Sequence, residues 1–154
     1  MQFAVPQPLR AEHNELHTEL ALLMKLPGRV GVAARDVAAV LHPHFVKEEK
    51  FALPPLGLLP AVATGNVTTE MAAVTAMTDN LKTELPQMLQ EHMQIAVAVR
   101  TLLDAAQQTG DTAALRFSEK LLTHAHTEEL VLYPAAVILG DWVRHCIQRV
   151  KRAV

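Results

Sequence analysis

The strongest constraint on the fold of this chain is a polar pattern that occurs twice along it. Residues 44–49 and residues 124–129 both read His-x-x-x-Glu-Glu, and Pro54 and Pro134 follow the two copies at the same distance. A histidine and a glutamate at positions i and i+4 lie on one face of an α-helix. The repeat therefore predicts two helices that each present a histidine and a carboxylate on the same face.

A shorter Glu-His pattern precedes each copy. Glu12 and His13 come before the first copy, and Glu91 and His92 come before the second. The spacing from His13 to His92 nearly equals the spacing between the two longer copies. The repeat thus predicts two helical hairpins related by an approximate internal twofold axis. Each hairpin has one histidine on its first helix and a His–Glu pair on its second helix.

Length and composition fit a helical bundle. Of the 154 residues, 50% are hydrophobic but only 4% are aromatic, and we expect residues 1–154 to form one domain. The net charge of −2 argues against a nucleic-acid partner. The sequence lacks a run of about 18 apolar residues, so we expect no membrane-spanning segment. A single cysteine, Cys146, and an N-terminus without the layout of a signal peptide predict a cytoplasmic protein.

Hydrophobic periodicity and the positions of prolines predict the helices. The expected elements are a helix over 8–26, a helix over 30–52, a loop or crossover over 54–66, a helical region over 69–108, a helix capped by Asp111 or Thr112 and ended by Pro134, and a short terminal helix over 135–152. Pro43 predicts a kink or an early break in the second helix. Pro86 leaves two alternatives for residues 69–108, which are one long kinked helix or two helices.

Six polar residues fall on the predicted core-facing stripe of their helices. They are His13, His44, Glu48, His92, His124 and Glu128. An unpaired buried carboxylate costs several kcal/mol, and unsatisfied imidazoles add to that cost. A metal site compensates all six together, because the ions supply the opposing charge and take up the lone pairs. The alternative interpretation is a buried hydrogen-bond network of histidines and glutamates without metal.

The remaining histidines differ in helical phase from these six. His42 and His126 lie two residues from a core-facing histidine, about 200° around the helix, and are expected to point outward. His145 lies in the terminal helix and has no partner pattern. His17 follows His13 by one turn, and three roles stay open for it: a fifth histidine ligand, a donor outside the ligands, or an exposed residue.

Four glutamates stand next to predicted ligands in the sequence. They are Glu12, Glu49, Glu91 and Glu129. Each points about 100° away from its neighbour on the helix. They are candidates for carboxylates that orient the ligating imidazoles, although solvated surface is the more common position for such residues. Tyr133 follows the second copy closely, and we expect it either to donate a hydrogen bond to a bound ligand or, more simply, to anchor the bundle rim.

Four imidazoles and two carboxylates form a nitrogen and oxygen donor set without thiolate. Such donors suit iron, manganese, zinc or copper. Because the two glutamates lie on equivalent helices, each can bridge two ions, and each ion then receives two histidines. Ferritin-like di-iron bundles use a Glu-x-x-His motif instead. The order His before Glu, with four-residue spacing, argues against that class.

The chain resembles the hemerythrin-like, or HHE cation-binding, domain family over nearly its whole length. The residues that carry the resemblance are 44–49, Glu91-His92, and 124–129 followed by Tyr133-Pro134. The resemblance implies an all-α, up-down-up-down four-helix bundle with a long crossover between helices 2 and 3 and a short C-terminal helix. It also implies a non-haem di-iron centre. In that centre His13, His44, His92 and His124 would be terminal ligands, and Glu48 and Glu128 would be bridges.

The oxygen-carrying members of that family use a fifth histidine one turn from the histidine of helix 3. This chain has Met88 and Ala96 at the flanking positions. The resemblance therefore points to members with fewer histidines, which are associated with sensing of or reaction with O2, NO or peroxide, or with iron handling. Zinc or manganese could replace the two iron ions.

Two other function classes remain at this point. One is a non-redox regulatory bundle, with structural zinc or no metal, that acts through a protein partner. The other is an enzyme, which would need a separate electron donor because the chain has no flavin, haem or nucleotide motif. Whether the metal is redox-active and exchanges small ligands distinguishes these classes. The sequence leaves the enzyme question and the oligomeric state open.

Overall fold

The computed structural model describes residues 3–152, which contain helices and no strand. The α-helices are α1 (Gln7–Leu23), α2 (Gly28–Lys47), α3 (Leu59–Ala63), α4 (Val74–Thr109), α5 (Thr112–Thr127) and α6 (Tyr133–Arg152). Shorter turns of 3₁₀ helix cover Pro54–Leu58 and Thr69–Ala73. The predicted all-α class is confirmed.

Four long helices close into a ring around the core. Helix α1 contacts α2 and α5, and α4 contacts both α2 and α5. The main hydrophobic cluster fills one end of this bundle with residues from all four helices, including Leu20, Val37, Leu102 and Leu121. This arrangement is the predicted four-helix bundle, and it points one stripe of each helix toward a common interior.

Both copies of the repeat leave regular α-helical geometry at their first glutamate. Five-residue π-helical turns cover Glu48–Ala52 and Glu128–Leu132. The residue after each turn, Leu53 or Tyr133, donates its backbone N–H to the carbonyl of the glutamate that begins the turn. Such i→i−5 turns are rare in proteins, and those that occur often lie at functional sites. The internal repeat therefore extends to backbone geometry.

The prediction that Pro134 ends the fourth helix is wrong. The π-helical turn joins α5 directly to α6, so the chain stays helical from Thr112 to Arg152. In a regular α-helix the proline ring collides with the carbonyl four residues earlier and leaves it without a donor. The wider turn before Pro134 relieves that conflict, because Tyr133 makes the last hydrogen bond with a residue five positions back.

The other prolines have smaller effects on the helices. Helix α2 runs through Pro43 to Lys47 without an early break. Helix α4 runs through Pro86, so residues 74–109 form one helix, preceded by a separate 3₁₀ turn. Asp111 caps α5 through a 2.9 Å bond from the backbone N–H of Ala114, as one of the two predicted caps.

The crossover between the hairpins is more ordered than the predicted loop. It contains the 3₁₀ turn Pro54–Leu58 and the short helix α3, and Pro54, Pro55 and Leu56 are buried. Helix α6 covers this segment and also packs on α4. Gly140 makes that close approach feasible, since a Cβ at this position would lie 2.0 Å from Oγ1 of Thr78.

The apolar character of this last helical stretch also bears on the membrane question. Among the described residues, Thr112–Val150 is long and apolar enough to cross a membrane by length and composition alone. The core helix of a soluble bundle meets the same criterion. This stretch contributes Phe117 and Leu121 to the bundle core.

Candidate metal centre

All six predicted site residues meet in the interior of the bundle. Helices α1 and α4 supply His13 and His92, whereas α2 and α5 with their π-helical turns supply His44, Glu48, His124 and Glu128. No side chain of the six is more than 4% exposed. The helical phase predicted from the repeat therefore matches the observed burial.

The first group of donor atoms comes from His13, Glu48, His124 and Glu128. Their ligand atoms lie within 4.8 Å of one another, a spacing at which one metal ion could bind all four. Nε2 of His124 lies 3.0 Å from Oε1 of Glu128, and Nε2 of His13 lies 3.6 Å from Oε2 of Glu48. One histidine of each hairpin thus faces both glutamates.

The second group comes from His44, Glu48, His92 and Glu128, again within 4.8 Å. Nε2 of His44 lies 3.2 Å from Oε1 of Glu48, and Nε2 of His92 lies 3.4 Å from Oε2 of Glu128. Each glutamate consequently presents one oxygen to the first group and its other oxygen to the second. The two carboxylates therefore join the two groups of donor atoms.

The buried donor atoms fit a metal better than they fit one another. Five of them form no hydrogen bond of acceptable geometry among the described residues, although Nε2 of His124 and Oε1 of Glu128 are close together: His13 Nε2, His124 Nε2, Glu48 Oε2 and both carboxylate oxygens of Glu128. Native interiors rarely leave so many polar atoms unpaired. Imidazole nitrogens and carboxylate oxygens are donors that first-row transition metals accept. The orphaned atoms and their chemistry therefore both fit bound cations.

A second set of four carboxylates surrounds the imidazoles. The Nδ1-to-carboxylate distances are 3.0 Å for His13–Glu49, 2.8 Å for His44–Glu91, 2.8 Å for His92–Glu129 and 3.1 Å for His124–Glu12. In every pair the two residues come from different helices. The pairs link α1 to α5, α5 to α4, α4 to α2, and α2 back to α1. We call these four glutamates the outer carboxylates.

The outer carboxylates orient the imidazoles. A carboxylate that accepts from Nδ1–H fixes the tautomer and directs Nε2 toward the interior, as around many metal sites. These residues keep part of their side chains in contact with solvent, but all four also contact an imidazole, which agrees with the orienting role named as the alternative. Glu49 is the most exposed of the four at 46%, yet it still contacts His13.

Glu91 is the most enclosed outer carboxylate. Its second oxygen accepts from Lys47, and Gln87 Nε2 lies 3.3 Å away. Burial raises the pKa of Glu91, but hydrogen bonds from His44 and Lys47 outweigh burial and hold it below its ordinary value. A charged carboxylate is therefore kept beside the imidazole of His44.

Tyr133 lies in the centre of the site and not at the rim. Its side chain is 1% exposed. The hydroxyl donates to Oε1 of Glu48 and lies 3.4 Å from His44 Nε2 and 3.3 Å from His92 Nε2. Burial and the charges of Glu48 and Glu128 raise the pKa of this phenol. A protein hydroxyl therefore lies beside the second donor group.

This hydroxyl breaks the internal twofold. Tyr133 stands five residues after Glu128, and Leu53 stands five residues after Glu48. Leu53 is fully buried and carries no polar atom in its side chain. The two donor groups therefore match in their histidines and glutamates, but only the second has a hydroxyl beside it.

Burial and charge act against each other at the imidazoles. Burial disfavours protonation, but contacts with the glutamates outweigh it and raise the pKa of His13 and His44, and raise that of His124 to about 9. The two glutamates differ as well. Burial and the neighbouring charge of Glu128 raise the pKa of Glu48, whereas contacts with His124 and His13 overcome burial and lower the pKa of Glu128.

The remaining histidines lie outside both donor groups. His42 and His126 are exposed, which confirms their predicted outward orientation, and His145 is exposed as well. His17 is half-buried and is not a member of either group. Burial and the nearby His42 lower its pKa.

Phe45 forms a wall of the centre that sequence reasoning did not single out. Its ring stacks on His13 with centroids 4.0 Å apart and planes 8° apart, and it is 1% exposed. The residue directly follows His44 in the first repeat, where the second repeat has Ala125. An aromatic residue at a helical core position more often fills space, so the sequence carried no specific signal for this contact.

Comparison with known proteins identifies one family. A family model described as the hemerythrin HHE cation binding domain matches residues 5–136, which is most of the chain and includes all six central side chains. No curated protein and no solved structure matches the chain significantly. The family description and the clustered histidines and glutamates agree on a metal-binding helical bundle.

Proposed function

We propose that this chain, which belongs to the hemerythrin HHE cation-binding domain family, holds two iron ions and binds a small ligand such as O2, NO or peroxide at them. His13 and His124 would hold one ion and His44 and His92 the other. Glu48 and Glu128 would bridge the pair. The observation that carries the proposal is that each glutamate has one oxygen near a histidine of the first group and its other oxygen near a histidine of the second.

The donor set supports a metal with positions left for a small ligand. Each group offers two imidazole nitrogens and two carboxylate oxygens. Nitrogen and oxygen sites with fewer protein ligands than the metal accepts are typical of non-haem iron that reacts with small molecules. Iron bound in such a site supplies electron exchange and coordination of diatomic ligands. Zinc or manganese fits the same donors with less redox chemistry or none.

The surroundings favour ligand binding over iron release. The six central side chains are nearly inaccessible to solvent, and the outer carboxylates hold all four imidazoles in place. A cavity of about 350 Å³ lies between α4 and α5, and His92 and Glu129 form part of its wall. His92 is the proposed ligand that lines this cavity, so we expect a diatomic molecule to approach the centre from this side.

The chain's own side chains have separate tasks in this function. The outer carboxylates orient the imidazoles, and Phe45 excludes water on the side of His13. Tyr133 keeps a hydroxyl proton at Oε1 of Glu48, in the group that also contains His44 and His92. A phenol has one proton, so Tyr133 can donate to a small ligand bound in that group only when its hydrogen bond to Glu48 is released.

The test is the visible spectrum of anaerobically purified, iron-containing protein before and after exposure to O2, NO or peroxide. Bands that change on exposure are expected. An iron centre with no response to any of the three would overturn the small-ligand function. Tightly bound zinc without any spectral response would support the alternative of a regulatory bundle with a structural metal.

A further inference from the structure

A third pair of imidazoles lies outside the proposed centre. His17 on α1 and His42 on α2 have ring centroids 5.0 Å apart, with their planes inclined by 37°. His17 is half-buried, and His42 is exposed. Nothing in the proposed function uses either residue.

The separation of this pair matches that of the pairs in the centre. Ring centroids are 5.1 Å apart for His13–His124 and 4.5 Å apart for His44–His92. With metal–nitrogen distances of about 2.0–2.1 Å, two imidazoles on adjacent positions of one ion have centroids about 5 Å apart. The rings of His17 and His42 are therefore as far apart as two imidazoles on one ion would be.

The electrostatic surroundings favour a cation at this position. The charged or titratable groups that act on His17 are His42, Glu49 and His13. Glu49 is 46% exposed on its side chain, and its recorded partner is the imidazole of His13, not a lysine or arginine. Its carboxylate therefore adds negative charge near His17.

The ring of Phe45 separates this pair from the centre. It meets His17 edge-on at 5.0 Å and stacks on His13 at 4.0 Å. An ion held by His17 and His42 would therefore share no ligand atom with the first donor group. The inference does not depend on the proposed di-iron function.

We propose that His17 and His42 form a separate surface site for one divalent transition-metal ion that prefers imidazole, such as Ni²⁺, Zn²⁺ or Cu²⁺. Water completes the coordination, since only two protein nitrogens face the ion. Affinity should follow the general order for such sites, with Cu²⁺ bound more tightly than Ni²⁺ or Zn²⁺. A site with two protein ligands binds more weakly than the buried centre.

The experiment is calorimetric titration of Ni²⁺ into full-length, iron-loaded protein. One additional equivalent of Ni²⁺ is expected. The variants His17→Ala and His42→Ala should each weaken it about tenfold or more, because loss of a ligand affects affinity at least as strongly as loss of an orienting residue. The matched control is His126→Ala, which removes an exposed histidine on α5 and should leave the titration unchanged.

Iron content and the melting temperature of each variant are measured in parallel. Unchanged values would show that the loss of Ni²⁺ binding is local. Absence of an additional equivalent, or equal Ni²⁺ binding by the wild type and both His17→Ala and His42→Ala, would overturn the proposal. So would loss of iron in either variant, because the pair would then belong to the centre. If iron does not load at all, the titration of the metal-free protein still reports whether Ni²⁺ binding depends on these two residues.

Discussion

Each imidazole of the centre uses both ring nitrogens. Nδ1 faces an outer carboxylate of a neighbouring helix, and Nε2 faces the two central glutamates. A neutral imidazole has one donor nitrogen and one acceptor nitrogen. Because the carboxylate takes the proton-bearing side, the lone pair is left on Nε2, where a metal can accept it.

Removing the charge of one outer carboxylate should weaken metal binding without disturbing the fold. Glu91→Gln keeps the size of the side chain but no longer offers a charged acceptor to His44. We expect metal affinity to fall about 10- to 100-fold. Competition with a chelator of known affinity measures the loss. Affinity equal to that of the wild type would show that the Glu91–His44 contact has no role in orienting the ligand.

Tyr133 gives a second prediction at the level of one residue. Tyr133→Phe keeps the ring but leaves Oε1 of Glu48 without its buried donor. The metal-free variant should lose about 1–3 kcal/mol of unfolding free energy, which is the cost of an unsatisfied buried group. Denaturant titration of the metal-free protein measures it. The iron-loaded variant should keep its metal content and change its visible spectrum; identical stability and spectrum would contradict the assigned position of the hydroxyl.

At the scale of helices, the six central residues follow from regular helical phase. Residues four positions apart share a face, so the repeated His-x-x-x-Glu pattern was enough to place His44 with Glu48 and His124 with Glu128. Helical phase alone did not predict which imidazole each outer carboxylate contacts. Glu12 lies about 100° from His13 on its own helix, and its partner, His124, comes from another helix. Only the packed bundle shows that contact.

The π-helical turns explain why Tyr133 and Pro134 were misjudged. In a regular α-helix, Tyr133 would point about 140° away from Glu128, since each residue adds about 100°. The extra residue in the turn Glu128–Leu132 brings the phenol back to the side of Glu128. Sequence periodicity assumes one constant repeat and cannot detect such a local change. The one available signal for a role of Tyr133 was that it stands at the same place in its repeat as Leu53 does in the other.

Helical phase also gives a prediction with its own control. His124→Ala should remove metal from the centre, whereas His126→Ala should leave metal content unchanged, because His126 points to solvent two residues further along. Elemental analysis of the two purified variants makes the comparison. Equal metal loss in both would show that the orientation of α5 is wrong.

At the scale of the whole molecule, metal binding and folding should be coupled. Six buried polar side chains face one another in the interior, and a bound metal satisfies atoms that are otherwise unpaired. A ligand that binds only the folded state raises the unfolding free energy by about 4 kcal/mol at 1,000 times its dissociation constant. The metal-free bundle is therefore expected to melt at a lower temperature than the metal-loaded bundle.

The pH dependence of the metal-free protein should have a definite sign. Burial opposes protonation of His124, but Glu128 and Glu48 outweigh it and raise its pKa from 6.5 to about 9. The resulting stabilisation is present below pH 6.5 and is lost as the pH rises through about 9. Its size is at most about 3 kcal/mol. The raised pKa values of His13 and His44 act in the same direction.

Metal-loaded protein should behave in the opposite way, because imidazoles bind metal only after losing the competing proton. Melting temperatures measured from pH 6 to 9.5, with and without chelator, test both statements. The chelated protein should become less stable as the pH rises, and the loaded protein should not. A metal-free melting temperature that rises over this range would contradict the assigned charges.

The central claim is that Glu48 and Glu128 bridge two metal ions, and iron content per chain tests it most directly. Anaerobically purified wild type and the control Glu119→Ala, which changes an exposed glutamate on α5, should both contain two iron ions per chain. Glu48→Ala and Glu128→Ala should each contain fewer than two, because each glutamate serves both donor groups. Two iron ions retained in both glutamate variants, or fewer than two in the wild type, would contradict the bridged centre.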